Sequence, residues 1–274
     1  MIGPPASHRP APQPPDAQAP PPWEALRAEL PACAAILCAT VLMELSAWAG
    51  AWRLTGYHDS AVVAAVGVAL LWVTLAGPTL AAGGRTRLAA LVRGGMVADG
   101  SGVALLVMAA ASPALGLLSA VKVYLVLAAV ALAGISAVLL ARGAVARQVT
   151  AMAAALVLSA ILAGPFWIGG LLGWLDEPAT GTAAKAAVWA NPFYSATAAL
   201  GPRVPFVWHL APRMYQWTRL GTDVAVAPPR WWQAAVVYLA VAAGLGVLGC
   251  AVNRPKPAGT ASGPPGGEGP SRDG

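Results

Sequence analysis

Long apolar stretches separated by short polar ones dominate the pattern along the chain. Each stretch has about the 20 residues that an α-helix needs to cross the hydrocarbon core of a bilayer. Lipid offers no hydrogen bonds, so a spanning backbone must satisfy its own polar groups. The pattern therefore predicts an all-α polytopic membrane protein with six transmembrane helices, at about residues 32–52, 61–82, 97–117, 119–141, 150–174 and 232–251.

Segments of different composition flank these stretches. Residues 1–22 hold nine prolines and are expected to form a disordered Pro-rich tail, and residues 253–274 a second disordered tail. The six-helix transmembrane domain then covers residues 23–252. At its start, the sequence WEALRAEL (23–30) places large apolar residues at helical spacing among charged ones, which predicts a short helix lying along the membrane interface.

The arginines of the short loops predict an orientation. Loops 83–96 and 142–149 together hold five arginines, and the short loops on the opposite side hold only Arg53 and Lys122. Because cytoplasmic loops carry the excess of Lys and Arg, the first two loops are predicted to be cytoplasmic, together with both termini. The long segment 175–231 between the fifth and sixth helices is then an outer loop.

Composition narrows the classes of function. The 274 residues are 58% hydrophobic and 10% charged, whereas soluble domains carry about 25% charged residues. The net charge of +6 would suggest nucleic acid in a soluble protein. Here basic loops beside membrane helices account for it, so no nucleic-acid partner is expected. The sequence contains no GxxxxGK[ST] phosphate-binding loop, so the chain is not expected to hydrolyse ATP by itself.

Few ionisable residues interrupt the apolar stretches. Glu44 lies within the first one, and a carboxylate at membrane depth is a functional candidate, here for a substrate path or a proton role; a packing or interface role is the alternative. Asp99 is predicted to be an exposed acid at the start of the third helix. The run Asp99-Gly100-Ser101-Gly102 resembles a Gly-x-Ser-x-Gly nucleophile turn only superficially, because no predicted span holds a histidine base. It is predicted to be a flexible helix start, and we expect no enzyme activity, cofactor or metal site.

The long outer segment contains a helix break. Residues 182–190 are apolar enough for one or two helical turns, which Asn191-Pro192 then ends before Phe193. An apolar helix, a break and an aromatic return predict a structure that re-enters the outer leaflet at Asn191, Pro192 and Phe193. An ordinary folded extracellular loop is the alternative.

This arrangement resembles the membrane subunit of ABC-2-type transporters. The features that carry the resemblance are WEALRAEL, the loop GGRTRLAALVRGGM at 83–96, and LAGPFWIGGLL at the end of the fifth helix followed by VWANPFYSATAAL. The family implies six helices, an interfacial helix before the first, a cytoplasmic coupling segment between the second and third, and an outer re-entrant region between the fifth and sixth. Where the family's coupling loop has an acidic residue and Gly-Thr, this chain has Arg85-Thr86-Arg87.

The resemblance implies a permease subunit of an ABC-type transporter in the plasma membrane. It would work with a separate cytoplasmic ATPase and a second membrane subunit, as a homodimer or heterodimer. Arg85, Arg87 and Arg93 would couple it to the ATPase, and the substrate would pass near Glu44 and the fifth helix. The alternative is a non-catalytic polytopic scaffold or assembly protein, which the scarcity of polar residues within the spans favours.

Overall fold

Eight α-helices make up the part of the chain that the computed structural model describes, which is residues 22–164, 167, 174, 177–200 and 230–252. They are α1 (Pro22–Thr55), α2 (His58–Ala82), α3 (Arg87–Ala111), α4 (Leu117–Leu140), α5 (Ala144–Leu162), α6 (Glu177–Ala190), α7 (Pro192–Leu200) and α8 (Trp231–Val252). Six of them, α1 to α5 and α8, are long and apolar enough to cross a membrane, which confirms, for the described part of the chain, the prediction of an all-helical fold with six helices of this kind. The predicted tails, apart from Pro22, and residues 201–229 lie outside the described residues.

The connection between α2 and α3 is much shorter than the predicted loop 83–96. The hydroxyl of Thr86 accepts a hydrogen bond of 3.0 Å from the backbone N–H of Ala89, which caps the start of α3 and satisfies one of its free donors. The helix therefore begins at Arg87, ten residues before the start predicted for this span. Only residues 83–86 connect the two helices, and the rest of the predicted loop forms the first turns of α3.

The other short connections follow local sequence signals. α3 ends at Ala111 and α4 begins at Leu117, so the turn lies where Ser112-Pro113 and Gly116 predict it. α5 begins after Gly143, whose φ of +85° is a conformation that glycine adopts without the steric cost of a Cβ. α5 ends at Leu162, well before the predicted boundary at 174, and residues 168–173 lie outside the described part.

The predicted interfacial helix at 23–30 is not a separate element. α1 runs without a break from Pro22 to Thr55 and contains Pro31. A proline inside a helix removes one backbone hydrogen bond and can kink the helix, but does not have to end it. The first turns of α1 also pack against α3, because Glu29 pairs with Arg93 there. This segment is therefore part of the bundle.

The two ends of the bundle differ in the residues that connect its helices. We call the end with residues 83–86 the arginine end, and the opposite end, with Gly56 and Tyr57 between α1 and α2, the aromatic end. Successive helices α1 to α5 alternate in direction between them. α8 runs parallel to α4, because Lys122 lies 5.8 Å from the ring centroid of Trp231 at one end and Gly249 lies beside Leu140 at the other.

The three helices α2, α3 and α4 form the core of the bundle. Roughly half of the most apolar window of each is buried, whereas α1, α5 and α8 bury a far smaller share. The helix α7 is short but buried along most of its length, and it packs on α4, α8 and α2. The peripheral helices therefore present most of their apolar surface to the surroundings, as expected for helices in lipid.

Candidate functional site

The inward face of α1 is polar, although the helix is apolar overall. Among its described side chains the buried ones are Glu29, Cys33, Thr40 and Glu44, which recur at helical spacing on one face. Lipid cannot hydrogen-bond to such groups, so turning them towards neighbouring helices is the favourable arrangement. We call the contact of Glu29, Thr40 and Glu44 with α3 the polar seam.

Glu44 is the member of the polar seam nearest the aromatic end. Its side chain is fully buried, and its Oε1 lies 2.5 Å from the hydroxyl of Ser101 on α3. The same hydroxyl lies 3.0 Å from the carbonyl oxygen of Val97. The second carboxyl oxygen, Oε2, is buried and has no hydrogen-bond partner among the described residues. Glu44 is three residues from the midpoint of the apolar part of α1, Arg27–Thr55.

In the run Asp99-Gly100-Ser101-Gly102, α3 makes close contacts with two other helices, so the prediction of a flexible helix start was wrong. A Cβ added at Gly100 would lie 2.8 Å from Cβ of Thr40, and one at Gly102 would lie 2.8 Å from the ring of Tyr124 on α4. Small residues allow membrane helices to approach this closely. The run therefore joins α1 on one side of α3 to α4 on the other.

Asp99 lies at the middle of α3, twelve residues from each end, and not at its start. Its Oδ1 accepts a hydrogen bond of 2.8 Å from the hydroxyl of Tyr124. Asp99 also lines a pocket of about 210 Å³ between α3 and α4 whose other walls are mostly apolar. The structure thus has a second carboxyl group at mid-helix depth, and the cap at Thr86 is the sequence signal that could have revealed it.

From Glu44 towards the aromatic end, the seam continues through aromatic groups. Trp48 and Trp52 follow at one-turn intervals, with ring centroids 6.0 Å apart, and Trp52 stacks on His58 at 4.7 Å. The indole nitrogen of Trp48 and Nδ1 of His58 are buried without hydrogen-bond partners in the described part. In the other direction from Glu44, Thr40 accepts a hydrogen bond of 3.0 Å from Trp72 of α2. The helix α2 thus contacts the polar seam at Thr40.

Three elements meet at residues 83–86 of the arginine end. The guanidinium of Arg93 forms an ion pair with Glu29 of α1, with Nε 2.5 Å from the carboxylate, and its Nη1 donates to the carbonyl oxygen of Gly83 at 3.1 Å. Arg147 of α5 donates to the carbonyl oxygen of Gly84 at 3.0 Å. Backbone atoms of the connection therefore fix the positions of both α1 and α5 through arginines.

The three arginines predicted to contact an ATPase do not share one environment. Arg85 and Arg87 are exposed at the arginine end. Arg93 is in the second turn of α3 and is occupied by Glu29 and Gly83. The structure thus separates two exposed cations from one that holds helices together.

Asn191 joins two helix ends. Its Nδ2 donates to the carbonyl oxygens of Ile161 and Leu162 at 2.9 and 3.0 Å, at the end of α5, and its Oδ1 accepts from the N–H of Phe193 at 2.9 Å, at the start of α7. Helix ends leave such groups without intrahelical partners. The side chain is 99% buried, since its exposed fraction is 1%. The break predicted at Asn191-Pro192 is present, with α6 before it and α7 after it.

The break at Asn191 and the helix α7 lie inside the bundle, whereas α6 is mostly exposed or half-buried. The ring of Phe193 is 3.6 Å from the position of a Cβ on Gly67, nine residues into α2 and thus about 14 Å along that helix. The hydroxyl of Tyr238, in the second turn of α8, donates to the carbonyl oxygen of Ala190 at 2.9 Å. Asn191, Pro192 and Phe193 therefore lie beside the spanning helices.

An apolar groove of about 680 Å³ lies between α1, α2 and α5. Ala35 and Ala39 leave room on α1, Trp72 forms part of the wall from α2, and Met152 and Leu156 form the α5 side. The groove lies in the half of the bundle nearer the arginine end.

The predicted site residues thus occupy three separate places: Arg85, Arg87 and Arg93 at the arginine end, Glu44 at mid-depth, and the Asn191 break beside α5. No family model matches the chain, and neither a curated protein nor a solved structure matches it.

Proposed function

We propose that the chain is the membrane-spanning permease subunit of an ABC-type transporter, working with a separate ATPase and a second membrane subunit in the plasma membrane. The observation that carries the proposal is the break at Asn191 followed by the buried helix α7, between the fifth and sixth membrane helices, where the resemblance to ABC-2-type permeases implies a re-entrant region. In this proposal both termini and the arginine end face the cytoplasm, as the distribution of loop arginines favours. The segment containing Asn191 then re-enters from the outer side.

The arginine end is the proposed site of contact with the ATPase. Arg85 and Arg87 are exposed there and offer two cations on a short connection. Force applied to this connection would reach α1 through the Arg93–Glu29 pair and α5 through Arg147 and Gly84. These two helices border the apolar groove. The proposed coupling is therefore a displacement of α1 and α5 relative to α2, which changes the width of the groove.

The substrate would pass between this subunit and its membrane partner. The proposed path runs along α1 and α5, where the groove leaves the surface of α2 uncovered, with Glu44 on the neighbouring face of α1. The walls of the groove are almost entirely apolar, with Thr79 as one polar member. An apolar or amphiphilic substrate fits such a surface.

Site-specific photo-crosslinking tests the proposed ATPase contact. A photoreactive residue at position 85 or 87 should attach to one protein that contains a GxxxxGK[ST] loop, in membranes of the source cells. The matched control is position 54, because Leu54 is 89% exposed at the aromatic end, where the ATPase cannot reach. If an ATPase is absent from the adducts at 85 and 87, or is equally frequent at 54, the proposal is wrong.

A non-catalytic membrane scaffold is the second candidate, and one observation favours it. Only residues 83–86 separate α2 from α3, and the carbonyl groups of Gly83 and Gly84 are already bound by arginines, so little of this connection projects for an ATPase to hold. A scaffold would retain its activity after substitution of Arg85 and Arg87 by alanine. A permease would lose ATP-dependent transport with the same double substitution.

A further inference from the structure

The carboxyl group of Glu44 is buried where an ionised form has almost nothing to stabilise it. Its side chain has no exposed surface, and its Oε2 has no hydrogen-bond partner among the described residues. Burying a charge without a partner is strongly unfavourable, and at membrane depth water cannot compensate. Among the described residues, the polar contact that the carboxyl group makes is with the hydroxyl of Ser101.

The hydrogen bonds around Ser101 are complete only if Glu44 carries a proton. A serine hydroxyl has one proton to donate, and two acceptors lie within reach of it: Oε1 of Glu44 at 2.5 Å and the carbonyl oxygen of Val97 at 3.0 Å. A neutral Glu44 donates to Ser101 Oγ, and Ser101 donates to Val97, so every donor is paired. An ionised Glu44 accepts the hydrogen bond of the serine hydroxyl, so Val97 loses that donor and the negatively charged carboxylate keeps a buried Oε2 without a donor.

The charged groups of the helices packed on Glu44 lie too far away to neutralise it. Along α1 the nearest cation is Arg53, nine residues from Glu44, and along α3 it is Arg93, eight residues from Ser101, which places both about 12–14 Å away by helical rise. Arg93 is already paired with Glu29. The remaining ionisable groups of the three helices are Glu24, Arg27, Cys33 and Cys38 on α1, His58 and Asp59 on α2, and Arg87 and Asp99 on α3.

We propose that Glu44 and Ser101 form a buried proton-binding site, in which neutral Glu44 donates to Ser101 and Ser101 donates to the carbonyl of Val97. Loss of the proton requires the serine hydroxyl to turn from Val97 to Glu44 and requires a donor for Oε2. That donor is water, which enters only if α1 moves away from α3 at the tight contact of Thr40 with Gly100. Proton release and opening of the polar seam are therefore one coupled event. The inference does not depend on the proposed partnership with an ATPase.

Infrared spectroscopy of the purified full-length protein tests the proton directly. The protein is held at neutral pH in a detergent without ester groups, whose carbonyls would overlap the signal. A neutral carboxylic acid has a carbonyl stretch at higher frequency than a carboxylate or an amide. We expect one such band that is lost in Glu44→Gln and kept in Asp99→Asn, the matched control at similar depth.

Two further measurements keep the test decisive. If Glu44→Gln fails to fold, wild-type protein labelled with ¹³C at the glutamate carboxyl carbons serves instead, since the band must then shift; aspartates remain unlabelled. Ser101→Ala should move the band to higher frequency, because the acid proton loses its acceptor. The proposal is overturned if wild-type protein lacks the band, if the band depends on Asp99, or if the glutamate label leaves it in place. An unchanged frequency in Ser101→Ala overturns the assigned hydrogen bond.

Discussion

Replacing Asn191 by alanine should destabilise the fold, although Asn191 is a single residue in the break between two helices. The change removes both amide donors to the end of α5 and the acceptor for the N–H of Phe193. The backbone groups that lose these bonds surround residue 191, whose exposed fraction is 1%, so water does not readily replace the bonds. Both α5 and α7 lose a terminal cap from one substitution.

The size of the effect follows from the number of bonds. Each of the three hydrogen bonds contributes about 0.5–1.5 kcal/mol net, so Asn191→Ala should cost about 1.5–4.5 kcal/mol. Asn191→Ser should be intermediate, because a serine hydroxyl caps a helix start but cannot donate to two carbonyls of α5. The ranking of wild type, serine and alanine thus separates the cap of α7 from the cap of α5.

Unfolding of the purified protein in mixed micelles, titrated with a denaturing detergent and followed by tryptophan fluorescence, measures this free energy. The matched control is Gln233→Ala, whose side chain accepts from the N–H of Arg230 in an exposed position at the start of α8. The control should change the free energy by about 0.5 kcal/mol or less. If Asn191→Ala behaves like the control, Asn191 does not cap the two helices as described.

Two further substitutions test the arginine end. Gly84→Ala should destabilise the protein by about 1–3 kcal/mol, because the added Cβ would lie 2.3 Å from the backbone of α3. The control Gly95→Ala places its Cβ in open space and should be neutral or stabilising in the same unfolding titration. Equal effects of the two substitutions would contradict the close contact at Gly84. Arg93→Met should cost about 1.5–3 kcal/mol, because it leaves the buried carboxylate of Glu29 without its cation. Arg87→Ala, at an exposed position, should change stability by about 0.5 kcal/mol at most, and a similar loss in both variants would refute the structural role of Arg93.

The sequence pattern was sufficient for the number of membrane helices because length and apolarity are local properties. The break at Asn191-Pro192 was also predictable, since proline restricts the residue before it. Neither signal depends on which helices become neighbours. The same local argument failed for α3. The first turns of this helix contain Arg87 and Arg93, and these charged residues indicated a loop at 83–96. Asp99 was consequently placed at a helix start, although it lies at the middle of α3.

The partners of the buried polar groups could not be read from the sequence. Glu44 was recognised as an unusual residue within a span, but Ser101 is 57 residues away along the chain. The bonds from Asn191 to α5 cover 29 and 30 residues. Such pairs depend on how the helices pack, and a single sequence carries no periodic signal for a contact between two distant segments. Whether Asn191 re-enters a leaflet and whether Arg85 and Arg87 meet an ATPase stay predictions.

The double cap by Asn191 has a consequence for the order in which the protein is made. The end of α5 leaves the ribosome 29 residues before the side chain that binds its last carbonyl group. At about 5–20 residues per second, translation takes roughly 1.5–6 s to supply that side chain. During this interval the last carbonyl groups of the nascent α5 lack the amide donors that they have in the folded protein. A pause or truncation of synthesis in this window should therefore leave a chain in which the fifth helix is inserted but not yet fixed.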